Sequence, residues 1–298
     1  MNSRQHVVFA PLLLAPAGSV EAVEAALDAG ADAVYVGLAG WSRGGVRGEV
    51  TWDELVAAQR AVIAAGRELH VAINTIPKPR QRARLFECIP PLLDLGVRDV
   101  IVNDVGILSA LRKRFPELRL TASIGCGAQT VADVAFFRDL GAHAVVLPGT
   151  VGPDELREIR TIRGITIEVM LHMAEEFVLL GKCWMPSYVH LKPTEVRQTG
   201  SMKRGGVGAC FRICQQPWEL FDGEHHVDTR LFPSRQISRI GDVGAYAEAG
   251  VDVLKLQGRS LPPDLLASLV RRYRKAIDAR TPIAETAALP PMWTVVGR

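Results

Sequence analysis

Residues 29–37 read AGADAVYVG, and the same phrase returns as LGVRDVIVND from Leu95, LGAHAVVLPG from Leu140 and AGVDVLKLQGR from Ala249. In each, Gly suits the left-handed position that closes a helix. The apolar run after it suits a parallel strand buried on both faces. A unit of helix, glycine turn and buried strand that recurs along a chain builds an α/β fold on a parallel sheet.

Extending the reading to the gaps gives eight expected strands: Leu12–Ala15, Ala33–Gly37, Leu69–Ile73, Asp99–Asn103, Arg119–Ser123, Ala144–Leu147, Ile165–Met170 and Asp252–Leu256. Helical patterns separate most of them. Ser19 suits the N-cap of SVEAVEAALDAG. Thr51 suits the N-cap of TWDELVAAQRAVIAAG, with Glu54 completing a capping box. Eight alternations predict a (β/α)8 barrel, with a doubly wound sheet as the structural alternative. The expected barrel covers residues 1–280. Within it, an insertion over 172–250 separates strands seven and eight and is far longer than an ordinary connection. LPPDLLASLVRRYRKAIDAR after the last strand reads as the closing helix, and 281–298 as an extended tail.

The 298 residues are 48% hydrophobic, enough for a large core, and the net charge of +3 permits an anionic small substrate without demanding nucleic acid. The apolar stretch near the N-terminus is broken by Pro11 and Pro16 and reads as a strand, not a signal peptide. No apolar run reaches the length of a membrane span. Five cysteines, an odd count in a chain this long, fit a reducing cytoplasm, where clustered thiols mean metal or redox chemistry.

Strand residues in a barrel alternate between lumen and helix layer, so the polar parity is expected to face inward. That parity is His70, Ala72 and Asn74; Arg119, Thr121 and Ser123; Thr166, Glu168, Met170 and His172; and Lys255, Gln257 and Arg259. Barrel chemistry sits at the C-terminal strand ends, where Asn74, Asn103, Asp104, Ser123, His172, Gln257 and Arg259 fall. His172, Glu168 and Asn74 are the candidate catalytic groups. Arg43, Arg47, Lys255, Gln257 and Arg259 are the candidate contacts for an anionic substrate, because Arg binds carboxylate bidentately. A hydrogen-bonded polar plug is the structural alternative for any one of them, and a solvated loop is the alternative for Arg43 and Arg47.

Cys183, Cys210 and Cys214 lie in the insertion, in GKCW and GACFRICQQPW. Thiolates are the usual ligands of iron–sulfur clusters and soft metals. Structural zinc more often uses two-residue knuckle spacing or several His, so zinc stands as the alternative to a cluster. Three small buried hydrophobes are a further alternative. Cys126, just after strand five, is the first candidate for a fourth ligand; Glu176 and His172 are others. Cys88 reads as ordinary core.

LLLAPAGSVEAVEAALDAGADAVYVG from Leu12, IEVMLHMA followed by GKCW, and VDVLKLQGR from Val251 together resemble the peptidase U32 family, from about Leu12 to Asp278. The chain's size resembles the short UbiU/UbiV-like members. The resemblance implies an oxygen-independent hydroxylation protein with a [4Fe–4S] cluster and prephenate as hydroxyl source, as in anaerobic ubiquinone synthesis. It also implies a hetero- or homodimer with a U32-type protein. Cys183 and Cys210 match family cysteines, and Cys183, Cys210 and Cys214 share the UbiV-like spacing. The UbiU-like first cysteine falls at Glu176 and the UbiV-like one near Trp41, so the fourth ligand departs from both patterns. The alternatives are a collagenase-like peptidase, a noncatalytic iron–sulfur partner subunit and an RNA-hydroxylation protein. A metallopeptidase would want HExxH, which is absent. A Cys126–His172 pair for a cysteine peptidase has no support in spacing. The basic runs RGGVRG, SMKRGG and VRRYRK could touch RNA phosphates, but they read better as loops and a solvated helix face.

Overall fold

The computed structural model describes residues 10–42, 48–174, 218–230 and 236–279. Their elements run β1 (Leu12–Ala17), α1 (Val20–Asp28), β2 (Ala33–Gly37), α2 (Trp52–Ala64), β3 (Glu68–Ile73), α3 (Arg82–Glu87), α4 (Ile89–Asp94), β4 (Asp99–Val102), α5 (Val105–Arg114), β5 (Arg119–Ala122), α6 (Val131–Asp139), β6 (Ala144–Pro148), α7 (Pro153–Ile159) and β7 (Thr166–Ala174). After these come the strands β8 (Trp218–Asp222), β9 (His225–Arg230) and β10 (Gln236–Ser238), then α8 (Val243–Glu248), β11 (Val253–Leu256) and α9 (Pro263–Ala279).

Strands β1 to β7 and β11 are all parallel and close on themselves: β11 pairs with β1 on one side and β7 on the other, and β7 also pairs with β6. This is a closed (β/α)8 barrel, and closure removes the doubly wound alternative. The Gly of each repeated phrase does take the left-handed conformation: Gly30, Gly96, Gly141 and Gly250 have φ of 97°, 88°, 91° and 88°. Ser19 accepts from the Ala22 amide at 3.2 Å, and Thr51 with Glu54 forms the expected capping box. Two short helices, α3 and α4, meet at Cys88. Pro90 and Pro91 follow at once; they lack the N–H a continuing helix would use and belong in a first turn.

Two apolar layers result. The outward residues of the strands, such as Val34, Val36, Val71, Val100, Leu120, Val145, Ile167 and Leu254, join the helices in one large core. Leu14, Ala33, Tyr35, Ala72, Ile101 and Val253 form a separate small cluster in the lumen. Among the described residues no helix is long and apolar enough to cross a membrane.

Strand β7 runs past the expected Met170 to Ala174, into the residues assigned to the insertion. The cause is β10, which pairs antiparallel with this extension: Ser238 opposes His172, Ile237 opposes Met173 and Gln236 opposes Ala174. The rest of the described insertion holds the antiparallel pair β8–β9 and the approach to α8. Residues 175–217, 231–235 and the expected tail 281–298 lie outside the described residues.

Candidate functional site

The middle of the lumen is held by one ion pair. Lys255 on β11 donates to Glu168 on β7 at 2.7 Å, and the two are 2% and 1% exposed. A buried charge keeps its ionised form only when paired and hydrogen-bonded, so each group here serves the other first. The Lys255 ammonium also lies 4.9 Å from the centre of the Tyr35 ring. Tyr35 itself is buried and donates its hydroxyl to the Leu256 carbonyl at 2.8 Å. Burial pushes its phenol pKa up.

Above this pair the C-terminal mouth opens. The Arg259 guanidinium lies 5.9 Å from the Tyr35 ring centre and donates through Nη1 to the hydroxyl of buried Ser42. Gln257 is turned to the strand end, where its Oε1 accepts the Ala174 amide at 2.8 Å. Asn103 and Ser123 are buried at the ends of β4 and β5, and Asn74 is half-buried at the end of β3. Gly125 stands close to Asn103: a methyl there would come within 2.0 Å of its Oδ1. Asp104 caps α5, accepting the Ile107 amide at 2.8 Å. The opposite side of the mouth is apolar, with Val146, Met170, Met173 and Ala174 packed together against Ile124 and Ile237.

Of the expected site residues, Lys255, Glu168, Gln257, Arg259 and Asn74 thus gather in the upper lumen and its rim. His172 does not, and its expected inward position is corrected. Lys255 pairs with Met170 but Leu256 pairs with His172, so the register slips by one residue at Leu171. Such a bulge re-aims the side chains beyond it. His172 is fully buried on the helix side, 6.2 Å ring to ring from Tyr273 of α9. Among the described residues neither ring nitrogen has a hydrogen-bond partner, and desolvation lowers its pKa to about 4. Cys126 lies in the turn after β5 on the C-terminal rim, half-buried, with its thiol 3.5 Å from the Val102 carbonyl and packed on the outer core. Cys88 is likewise half-buried against that core, as expected, and burial raises its pKa. Arg43, Arg47, Glu176, Cys183, Cys210 and Cys214 lie outside the described residues.

Arg119, expected with the inward parity, lies at the other mouth. It bridges Glu68, at 2.8 Å, and Asp99. His70 stands beside these carboxylates, its pKa lowered to about 3 by burial and by the Lys255 and Arg119 charges. Glu68, His70 and Asp99 are close enough to hold a cation, but the guanidinium already fills that role. This end reads as stability, as N-terminal barrel faces do.

Sequence reading missed Tyr35, Gly37 and Ser42. The signal was available for the first two: they share the inward parity with Ala33 on β2, where an aromatic beside two small residues marks a place that something else enters.

Residues 18–290 match the family described as Peptidase family U32. The tRNA hydroxylation protein P of Escherichia coli (strain K12) is 26% identical over 91% of this chain and 68% of its own length. The 23S rRNA 5-hydroxycytidine C2501 synthase of the same organism is 28% identical over 90% of this chain, which spans only 39% of that relative. A protein named collagenase from Porphyromonas gingivalis (strain ATCC BAA-308 / W83) is 24% identical over 90% of this chain and 65% of its own. The solved structure of a U32 peptidase superposes with a TM-score of 0.51 at 13% identity, covering 83% of this chain and 92% of that one, a likeness of fold.

Proposed function

Because this chain belongs to peptidase family U32, we propose that it is an oxygen-independent hydroxylation protein whose barrel mouth binds a small anionic hydroxyl donor such as prephenate. The observation that carries the reading is the placement of Arg259 at the C-terminal rim, over Tyr35 and beside Ser42. Barrel enzymes do their chemistry at that rim, and a guanidinium there suits a carboxylate. The relatives named for tRNA and rRNA hydroxylation support the reaction class. Asn74 is the candidate polar contact from β3. Glu168 and Lys255 act beneath the site by holding each other neutral as a pair, and His172 is not assigned a catalytic role.

A [4Fe–4S] cluster is proposed as the redox centre, with Cys183, Cys210 and Cys214 as ligands and zinc as the alternative metal. When bound, it would supply single-electron exchange. Cys126 fits as a fourth ligand by position, since it shares the rim where β7 hands over to the insertion. Its thiol would have to turn from the Val102 carbonyl to serve. A cytoplasmic location, a role in anaerobic quinone synthesis and a dimer with a second U32-type chain belong to the same proposal; RNA is the less favoured acceptor.

Anoxically purified protein should contain iron and acid-labile sulfide in near-equal amounts, with both lost on replacing Cys183, Cys210 or Cys214 by Ala and kept on replacing Cys88. Protein without iron and sulfide ends the cluster reading. The collagenase-named relative favours peptidase activity as a second reading. Among the described residues the Cys126–His172 pair it would use is not formed: neither His172 ring nitrogen has a hydrogen-bond partner there. Gelatin hydrolysis that disappears in Cys126→Ala would restore it.

A further inference from the structure

We propose that Tyr35 and Gly37 are positioning residues for Arg259: the ring is the floor on which the guanidinium rests, and the glycine is the gap into which it reaches. The inference deepens the reading of the C-terminal mouth as a carboxylate site and rests on it for its substrate.

The argument starts from alternation. Tyr35 and Gly37 are two residues apart on β2 and point the same way. Arg259 comes from the far side of β1, beyond the end of β11, yet its guanidinium reaches across to β2. A methyl at Gly37 would stand 1.9 Å from Arg259 Nη1, 2.2 Å from Ser42 Oγ and 2.8 Å from the Gly48 carbonyl oxygen. The room Arg259 occupies therefore exists because residue 37 has no side chain. Beneath it the face of Tyr35 is electron-rich and attracts a cation at this range.

Tyr35 is itself fixed. Its hydroxyl donates to the Leu256 carbonyl of β11, and its ring also meets the Lys255 ammonium, whose charge is balanced by Glu168. The chain of support runs from the buried pair to the ring to the guanidinium. Arg is a long side chain with many rotamers to lose on binding, and a cradle that removes this freedom before the ligand arrives improves binding without touching the ligand.

The test uses the full-length protein, purified anoxically, with two readouts. The Arg259 Nε resonance is identified by its loss in Arg259→Lys, and prephenate binding is titrated by calorimetry. In Tyr35→Leu the resonance should move and prephenate should bind about tenfold more weakly. Gly37→Ala should do the same, because the new methyl displaces the guanidinium. Tyr35→Phe keeps the ring and should hold the resonance, with affinity within about twofold of wild type. Tyr35→Leu combined with Arg259→Lys should bind no more weakly than Arg259→Lys alone, since one effect acts through the other. An Arg259 resonance unmoved in Tyr35→Leu, or losses that multiply in the double variant, overturns the proposal. If Tyr35→Leu does not fold, Gly37→Ala decides between the same two outcomes. If the resonance responds as expected but wild type binds no prephenate, the donor reading falls and the positioning role stands.

Discussion

Glu168 and Lys255 show what a buried charge requires. Both were legible as inward-facing polar residues, because their neighbours on β7 and β11 are apolar and belong to the helix side. That they neutralise each other was not legible, since parity gives a direction and not a partner. Removing one partner leaves the other buried and uncompensated. Lys255→Met should therefore lower stability by about 3–5 kcal/mol in denaturant titration. The double replacement with Glu168→Leu should recover most of that loss; a double variant as unstable as the single one would contradict the pairing. His172 was misread because a one-residue slip in register leaves no trace in composition. Its pKa of about 4 lies below the ordinary value of 6.5. Between those values the unfolded chain binds a proton that the folded protein does not, so stability falls as pH drops from 6.5 towards 4. The slope from one such group is about 1.4 kcal/mol per pH unit at most. In His172→Phe the melting temperature should fall less steeply over that window, with His70 still contributing in the same direction.

At the scale of elements, the repeated helix–glycine–strand phrase was readable because its causes are local: a left-handed turn, then a run buried on both faces. The Thr51–Glu54 capping box was readable for the same reason, and Thr51→Ala should cost about 1 kcal/mol, visible as a lower unfolding midpoint with unchanged cooperativity. What could not be read was set by partners distant in sequence. The extension of β7 exists because β10 pairs with it from 64 positions further along the chain, Ile237 opposite Met173. Asp32 and Asp252 are similar. Each sits just before its own strand and accepts the amide of the second residue of a neighbouring strand, Leu13 of β1 at 2.9 Å and Ile167 of β7 at 2.7 Å. Two aspartates in loops thus act as staples of the barrel floor, which spacing alone does not announce.

Across the whole molecule, the barrel separates two charged ends. The floor carries the closed network of Arg119, Glu68 and Asp99, while the mouth carries Arg259 and the polar strand ends. Strand polarity pointed to the mouth residues, but the floor network was not legible, because its members pair across three separate strands. The pairing of β10 with the end of β7 has a broader consequence. Ala174 and Gln236 lie opposite each other on adjacent antiparallel strands, the arrangement a tight turn can join. The stretch between them therefore starts and ends at neighbouring positions on paired strands. Excising 175–235 and bridging the ends with Asn-Gly should leave a barrel that still melts cooperatively, stripped of Cys183, Cys210 and Cys214 in a single operation.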